Sequence, residues 1–184
     1  MNEQIELTQG VKALKAGEVI AYPTEGIYGL GCDPYNQQAV LNLLALKQRP
    51  VEKGVILVAA RFEQVQDLIA WEAIPQAQQQ CIQQSWPGAV TWVVPATEKV
   101  PSWISGGRPT VAIRVSKHPL VQQLSRGFGG AIVSTSANRS GQAPALNCQQ
   151  VQHSFPEVPC LNGALLTPNQ PSTIKDALSG QKIR

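Results

Sequence analysis

Apolar positions along the chain repeat in two rhythms. Near-continuous apolar stretches at residues 19–22, 55–60 and 89–96, the alternating 110–115 and the stretch entering 131–138 predict strands, with 55–60 covered on both faces. Between them, apolar residues recur every three or four positions. Val40, Leu43, Leu44 and Lys47 show this spacing in a helix that Asn36 caps and Pro50 stops, with Leu43 and Leu44 facing inward. Thr8 caps an earlier helix through Val11, Leu14 and Lys15, which Gly17 closes. Residues 61–84 predict two helices parted by Pro75. The second is glutamine-rich and solvated, with Cys81, Ile82 and Trp86 as its apolar side. Pro119 opens a helix carrying Leu120, Val121 and Leu124 that ends near Gly127. Residues 99–109 predict a loop with Trp103 exposed, followed later by a short helix at 148–153 and short strands near Leu165 and Thr173–Ile174.

Strands alternating with helices, without an internal repeat or a dividing linker, predict an α/β fold. The expectation is a single domain over 1–184, with a twisted mixed sheet flanked by helices. Within it, residues 19–33 are unusual. A strand at 19–22 breaks at Pro23 into a loop that gathers Thr24, Glu25 and Tyr28 among Gly26, Gly29 and Gly31. A rigid strand ending in a polar, glycine-lined loop is a place where sites are built, although an ordinary turn reads the same way.

Composition narrows the classes. Only 15% of the 184 residues are charged and the formal net charge is +3, which permits anionic ligands or nucleic acid without demanding either. The cysteines, Cys32, Cys81, Cys148 and Cys160, form no CxxC pair, and only His118 and His153 could join them, so a metal-thiolate site is not expected. Reduced thiols are the expectation. The N-terminus has no signal-peptide pattern, and the longest aliphatic run, 55–60, falls far short of a membrane span. A cytoplasmic protein is expected.

Several chemistries are excluded by what is missing. There is no GxxxxGK[ST] phosphate loop. Gly29-Leu30-Gly31 lacks the third glycine and the immediate helix of a dinucleotide fingerprint, and Ser134 and Ser136 lack a GxSxG elbow. What remains is a distributed set of cations and neutral donors. Lys47 and Arg49 end a helix, where they offset its dipole or meet an anion. Arg114 interrupts an apolar strand and must face solvent or find an anion, because burying it unpaired costs several kcal/mol. Ser134, Thr135, Ser136 and Asn138 cluster at a strand tip, where they cap a turn or donate to phosphate oxygens. No general base accompanies them. The pattern predicts a ligand at the strand ends of an open sheet.

Five stretches in order, PTEGIYGLGCD, LKQRP, AIRVSKHPL, STSANRSG and PSTIKDALSGQKIR, resemble the YrdC-like domain of threonylcarbamoyl-AMP synthases, over about residues 11–184 and in the short bacterial form. The resemblance implies that L-threonine, bicarbonate or CO2, and ATP give L-threonylcarbamoyl-AMP and pyrophosphate. Other proteins then pass the threonylcarbamoyl group to adenosine 37 of tRNAs that read ANN codons. By motif match it implies ATP contacts from Lys47, Arg49, Ser136, Asn138, Ser172 and Thr173, with Arg184 nearby. Threonine and carbamate contacts are implied for Thr24, Tyr28, Arg114, Ser134 and Thr135. The glycines of 26–31 then read as clearance for the ligand. Mg²⁺ is expected to arrive with ATP, without a protein metal site or organic cofactor, and weak tRNA binding is carried as an expectation. Gly26, Gly54 and Ser116 depart from the family's pattern, which has Thr, Ser or Ala at the first and commonly Pro at the other two. Two competing classes are an RNA-binding or ribosome-assembly factor without catalysis, and a carbamoyl-transfer domain. The first lacks a dense basic cluster or RNP-like aromatics, and the second lacks its fused partner domains.

Overall fold

The apolar runs pair with one another in a computed structural model that describes residues 4–184. The strands among these residues are β1 (Gln4–Ile5), β2 (Ile20–Pro23), β3 (Tyr28–Gly31), β4 (Ile56–Ala59), β5 (Val90–Pro95), β6 (Thr110–Val115), β7 (Ile132–Ser136), β8 (Cys160–Leu161) and β9 (Thr173–Asp176). They form one sheet in the order β1-β8-β2-β3-β7-β4-β6-β5-β9. The pairs β1–β8, β8–β2, β4–β6 and β5–β9 are parallel, and β2–β3, β3–β7, β7–β4 and β6–β5 antiparallel, so the sheet is mixed as the sequence implies.

Helices cover the sheet where their apolar stripes require it. In α2 (Gln37–Lys47), Asn36 Oδ1 accepts the Ala39 N–H at 3.1 Å, as expected of the cap, and Val40, Leu43, Leu44 and Lys47 are all buried. This helix packs into the larger core, which also takes in Leu57, Ala59, Ile113 and Val133. Fully burying a leucine removes enough apolar surface to contribute about 1.5–3 kcal/mol. α1 (Leu7–Lys15) and α5 (Pro119–Phe128) pack together over a second cluster containing Tyr22, Val58 and Ile132. Pro119 occupies the first turn of α5, and Asn147 Oδ1 caps α6 (Cys148–Ser154) through Gln150 N at 2.9 Å. The glutamine-rich stretch is α3 (Gln76–Ser85), with Ile82 buried and Cys81 exposed.

Several expectations change. Glu6, rather than Thr8, precedes α1, its N–H donating to Gln9 Oε1 at 2.7 Å. The first helix expected within 61–84 is instead three 3-10 turns, at Phe62–Gln64, Gln66–Leu68 and Trp71–Ala73. The expected loop at 99–109 contains a short helix, α4 (Ser102–Ser105), and Trp103 is half-buried, its Nε1–H donating to Pro34 O at 3.0 Å. The strand expected near Leu165 lies earlier, as β8. Cys148 and Cys160 form a disulfide where reduced thiols were expected. Packing of α6 on β8 brings their Cα atoms to 5.8 Å, within disulfide span, without any spacing signal in the sequence.

The glycine-rich stretch is a hairpin rather than a strand running into a loop. β2 and β3 pair from Ile20↔Gly31 to Pro23↔Tyr28. Its glycines make room for the protein's own backbone. A Cβ at Gly31 would lie 2.2 Å from Val133 O, and one at Gly26 only 1.8 Å from Gln170 O. Clearance for a ligand is therefore not their main service; of the three, only Gly29 borders the cleft described next.

Candidate active site

Alternation along paired strands writes one row of residues across a sheet face. Ser134 lies opposite Ile56, Ile56 opposite Ala112, and Ala112 opposite Val93. This row of small and apolar residues floors a cleft of about 480 Å³, in the size range of small-molecule sites. The walls are the β2–β3 turn with Thr24 and Ile27, the segment from Arg49 to Val55, the end of α4 with Arg108, and the C-terminal stretch carrying Pro171, Ser172, Ile183 and Arg184. The site thus lies across the central strands on one face of the sheet, not at strand ends as the sequence pattern suggested.

The charge of this lining is one-sided. Arg49, Lys53, Arg108, Arg114 and Arg184 all border the cleft, and among the described residues no Asp or Glu side chain does. Backbone carbonyls hold the guanidinium groups in place. Arg49 Nε and Nη2 donate to Gly54 O at 3.2 and 3.0 Å, and Arg108 Nη2 donates to Glu52 O at 2.7 Å from the other side of the same 3-10 turn, Val51–Lys53. Gly54 ends that turn at φ +61°, a conformation closed to proline. Arg184 arrives by a hairpin: Asp176 Oδ1 accepts from Leu178 N and Ser179 N, which folds the chain back so that Ile174 N donates to Arg184 O at 2.9 Å. Burial, then Arg108 and Arg184, pull the Arg49 pKa below its ordinary value. The cations repel one another across a space that an anion would fill.

The expected site residues separate into two groups. Arg49, Arg114, Ser134, Thr135, Ser136, Thr24, Tyr28 and Ser172 border the cleft, as does Arg184. Lys47, Asn138 and Thr173 stand behind it. Lys47 is buried and its ammonium donates to Ser136 O and, at 2.7 Å, to Asn138 O. Burial, then Arg49, lower its pKa to about 8. Asn138 Nδ2 donates to Arg139 O and Gln142 O at 2.9 and 2.8 Å, which folds the tip of β7 onto itself. Thr173 N–H pairs with Ala89 O.

Even within the lining, not every polar group is free. Thr24 Oγ1 donates to Ile27 O at 2.7 Å, and Tyr28 OH donates to Gly163 O at 2.8 Å. Ser172 Oγ lies 3.0 Å from Thr91 Oγ1. Thr135 and Ser136 hydroxyls make no side-chain hydrogen bond among the described residues and are half-buried, so they remain donors for a ligand. Arg108 and Lys53 were missed from sequence because loop cations look like ordinary surface charge; the glycine-flanked GGR ahead of β6 was the only hint of Arg108. Among the described residues, no group of three or more His, Cys, Asp or Glu side chains could hold a metal ion, and no helix is long and apolar enough to cross a membrane.

The family profile for Sua5, YciO and YrdC, described as "Telomere recombination", matches residues 12–184. The chain is 47% identical over 178 residues to the threonylcarbamoyl-AMP synthase of Vibrio campbellii, covering 96% of each. It is 46% identical over 188 residues to that of Yersinia pestis, covering 100% of this chain and 99% of the relative. P. abyssi Sua5, solved in complex with L-threonine, superposes with a TM-score of 0.85 at 30% identity, over 96% of this chain and 53% of the longer protein. A cleft with a cationic lining on a YrdC-like sheet, together with near-full-length likeness at these identities, means that the chain belongs to the Sua5/YciO/YrdC family, among its short-form threonylcarbamoyl-AMP synthases.

Proposed function

We propose that the cleft condenses L-threonine, bicarbonate or CO2, and ATP into L-threonylcarbamoyl-AMP, releasing pyrophosphate, for threonylcarbamoyladenosine formation at position 37 of tRNAs reading ANN codons. One observation carries the reading: a cleft lined by five cationic side chains and, among the described residues, by no Asp or Glu side chain, with the Thr135 and Ser136 hydroxyls free beside its apolar floor. Such a surface suits a polyanion next to a small amino acid.

In this reading the neutral threonine amine adds to CO2, forming the N–C bond of a carbamate and releasing one proton to solvent. A carbamate oxygen then forms a bond to the α-phosphorus while the bond to pyrophosphate breaks. Such a reaction depends on positioning and on neutralising charge that develops on phosphoryl oxygens, so fixed guanidinium and hydroxyl donors suffice without a side-chain base. Arg114 holds the threonine carboxylate, with Thr24, Tyr28, Ser134 and Thr135 shaping the pocket around it. Arg49, Arg108, Lys53 and Arg184 receive the phosphates, and Ser136 and Ser172 close the nucleotide side. Lys47, Asn138 and Thr173 set the positions of these groups from behind. Mg²⁺ enters as part of the MgATP substrate, since among the described residues the lining supplies no Asp or Glu side chain for a dedicated cage. The partners are the proteins that carry the threonylcarbamoyl group to tRNA, and the compartment is the cytoplasm.

Pyrophosphate release from ATP, measured with and without L-threonine and bicarbonate, tests the reading. Release that requires both additions is the expected result. Release indifferent to both, accompanied by tight RNA binding at physiological salt, would overturn it in favour of an RNA-binding factor.

A further inference from the structure

Arg114 is placed in a way that its role as a ligand group does not by itself explain. The residue is 5% exposed; its guanidinium carries five N–H donors yet makes no hydrogen bond among the described residues, and its Nε is shut away from solvent without a partner. A buried cation in this state costs several kcal/mol unless charge compensates it. The compensation comes from Glu25, whose Oε2 lies 3.6 Å from Arg114 Nη2 and touches no other donor.

Glu25 is held through its other carboxylate oxygen and its backbone. It is 1% exposed and does not border the cleft, so it cannot reach a ligand there. Its Oε1 accepts from Ser116 Oγ at 2.6 Å and from Lys117 N at 3.2 Å, while Ser116 Oγ in turn accepts from His118 N at 3.1 Å. Its backbone carbonyl accepts from Thr167 N at 2.7 Å. The carboxylate is therefore a stationary anchor behind a guanidinium whose remaining donors are unmet. Ser116 belongs to this anchor, because its hydroxyl donates the shorter of the two hydrogen bonds that hold Glu25 Oε1.

We propose that Glu25 is a positioning residue for substrate binding: held rigid by Ser116 and the 117 backbone, it fixes the Arg114 guanidinium so that the free donors meet the carboxylate of L-threonine. The proposal rests on the reading of Arg114 as the threonine-carboxylate group. Without the anchor, the guanidinium rotates among orientations, and the amino-acid substrate loses a preorganised partner. Because Glu25 acts only through Arg114, its effect should fall on one substrate.

Steady-state kinetics with both substrates varied tests this in Glu25→Gln, Ser116→Ala, Arg114→Met and the double variant Glu25→Gln/Arg114→Met, with thermal midpoints recorded alongside. Glu25→Gln should raise KM for L-threonine about tenfold while KM for ATP stays within about twofold. Ser116→Ala, which keeps the charge and loses only the anchor's hydrogen bond, should give a smaller rise of about threefold, again confined to threonine. Glu25→Asp should recover part of the loss. In the Arg114→Met background, Glu25→Gln should add no further change to KM for threonine, since the residue it acts through is gone. A merely structural role for Glu25 predicts equal rises in both KM values, or a full effect persisting without Arg114, and either result overturns the proposal. So does an unchanged threonine KM in both Glu25→Gln and Ser116→Ala. Should Glu25→Gln not fold, the Ser116→Ala result and the charge-neutral double variant still decide the matter. A rise in KM for ATP alone on Arg114→Met, still coupled to Glu25, would separate the two levels: the anchor would stand and the threonine assignment of Arg114 would fall.

Discussion

Replacing Lys47 by methionine removes an ammonium buried at the end of α2 while keeping most of the side chain's apolar volume. In the native protein that ammonium donates to Ser136 O and Asn138 O, at the tip of β7 that presents Thr135 and Ser136 to the cleft. Its loss leaves these carbonyls without their cationic donor, and hydrogen bonds to charged groups contribute about 1.5–3 kcal/mol each before the relief of desolvation is counted. The variant should therefore unfold about 2 kcal/mol more easily at pH 7. Lys47→Met should therefore lower stability as well as turnover.

The pH dependence makes the test sharper. Burial, then Arg49, depress the Lys47 pKa from 10.5 to about 8, so between these values the unfolded chain binds this proton and the folded chain releases it. Stability contributed by a group depressed in this way is fully present above the unfolded pKa and is lost as pH falls through the folded one. The gap in unfolding free energy between the native protein and Lys47→Met should widen by about 2 kcal/mol from pH 7 to pH 10. Urea unfolding followed by tryptophan fluorescence at pH 7, 8, 9 and 10 measures it, and all other titrating groups cancel in the difference. A gap that stays flat or narrows would refute the depressed pKa. A variant as stable as the native protein at pH 7 would refute the holding role.

Two other substitutions probe the walls. In Gly26→Ala the new Cβ would stand 1.8 Å from Gln170 O, so the 167–171 segment must withdraw, breaking Asn169 N–H to Gly26 O and straining Thr167 N–H to Glu25 O. A loss of about 1–2 kcal/mol in urea unfolding is expected, with a raised KM for ATP because Pro171 and Ser172 move with the segment; an unchanged midpoint would show that the segment does not pack there. Arg108→Ala should raise KM for ATP about tenfold, with KM for L-threonine within about twofold, and the rise should shrink with added salt. Equal KM values at low salt would remove Arg108 from the phosphate site.

How far the sequence could be read depended on whether the deciding contact was local. The continuous apolar runs that became β4 and β5, the alternating run of β6, the Asn36 cap and Pro119 in the first turn of α5 are all decided within a few residues. β3 was not. Its sequence, Tyr-Gly-Leu-Gly, has little intrinsic strand preference and is a strand because β2 and β7 flank it. Residues 61–74 carry helical spacing, but Gln64 Oε1 accepts from Ala60 N and Ser125 Oγ, tying the first 3-10 turn to α5. In the site, Arg114 could be read from sequence because a charge inside an apolar strand demands an anion. Its internal partner, Glu25, could not, since nothing local marks one buried carboxylate among loop residues.

The two buried cations near the cleft divide the labour differently from the exposed ones, and the difference follows from what each can donate to. Lys47 spends its ammonium on backbone carbonyls, which have no net charge, so burial still lowers its pKa and the group serves geometry. Arg114 is offered a carboxylate at 3.6 Å, too far for a good hydrogen bond yet close enough to compensate its charge, and so keeps its donors free. Arg49 and Arg108 take an intermediate course, each tied to a carbonyl of the same turn and otherwise facing the other cations. Their mutual repulsion raises the energy of the cleft, and an anion that bridges them relieves it. Under the proposed function, binding free energy at the phosphate side therefore includes relief of the repulsion that the fold imposes by gathering these residues around one cleft. On the proposed amino-acid side Glu25 already balances Arg114. Under that proposal, selectivity there rests on the direction of the guanidinium, whereas the phosphate side selects by charge.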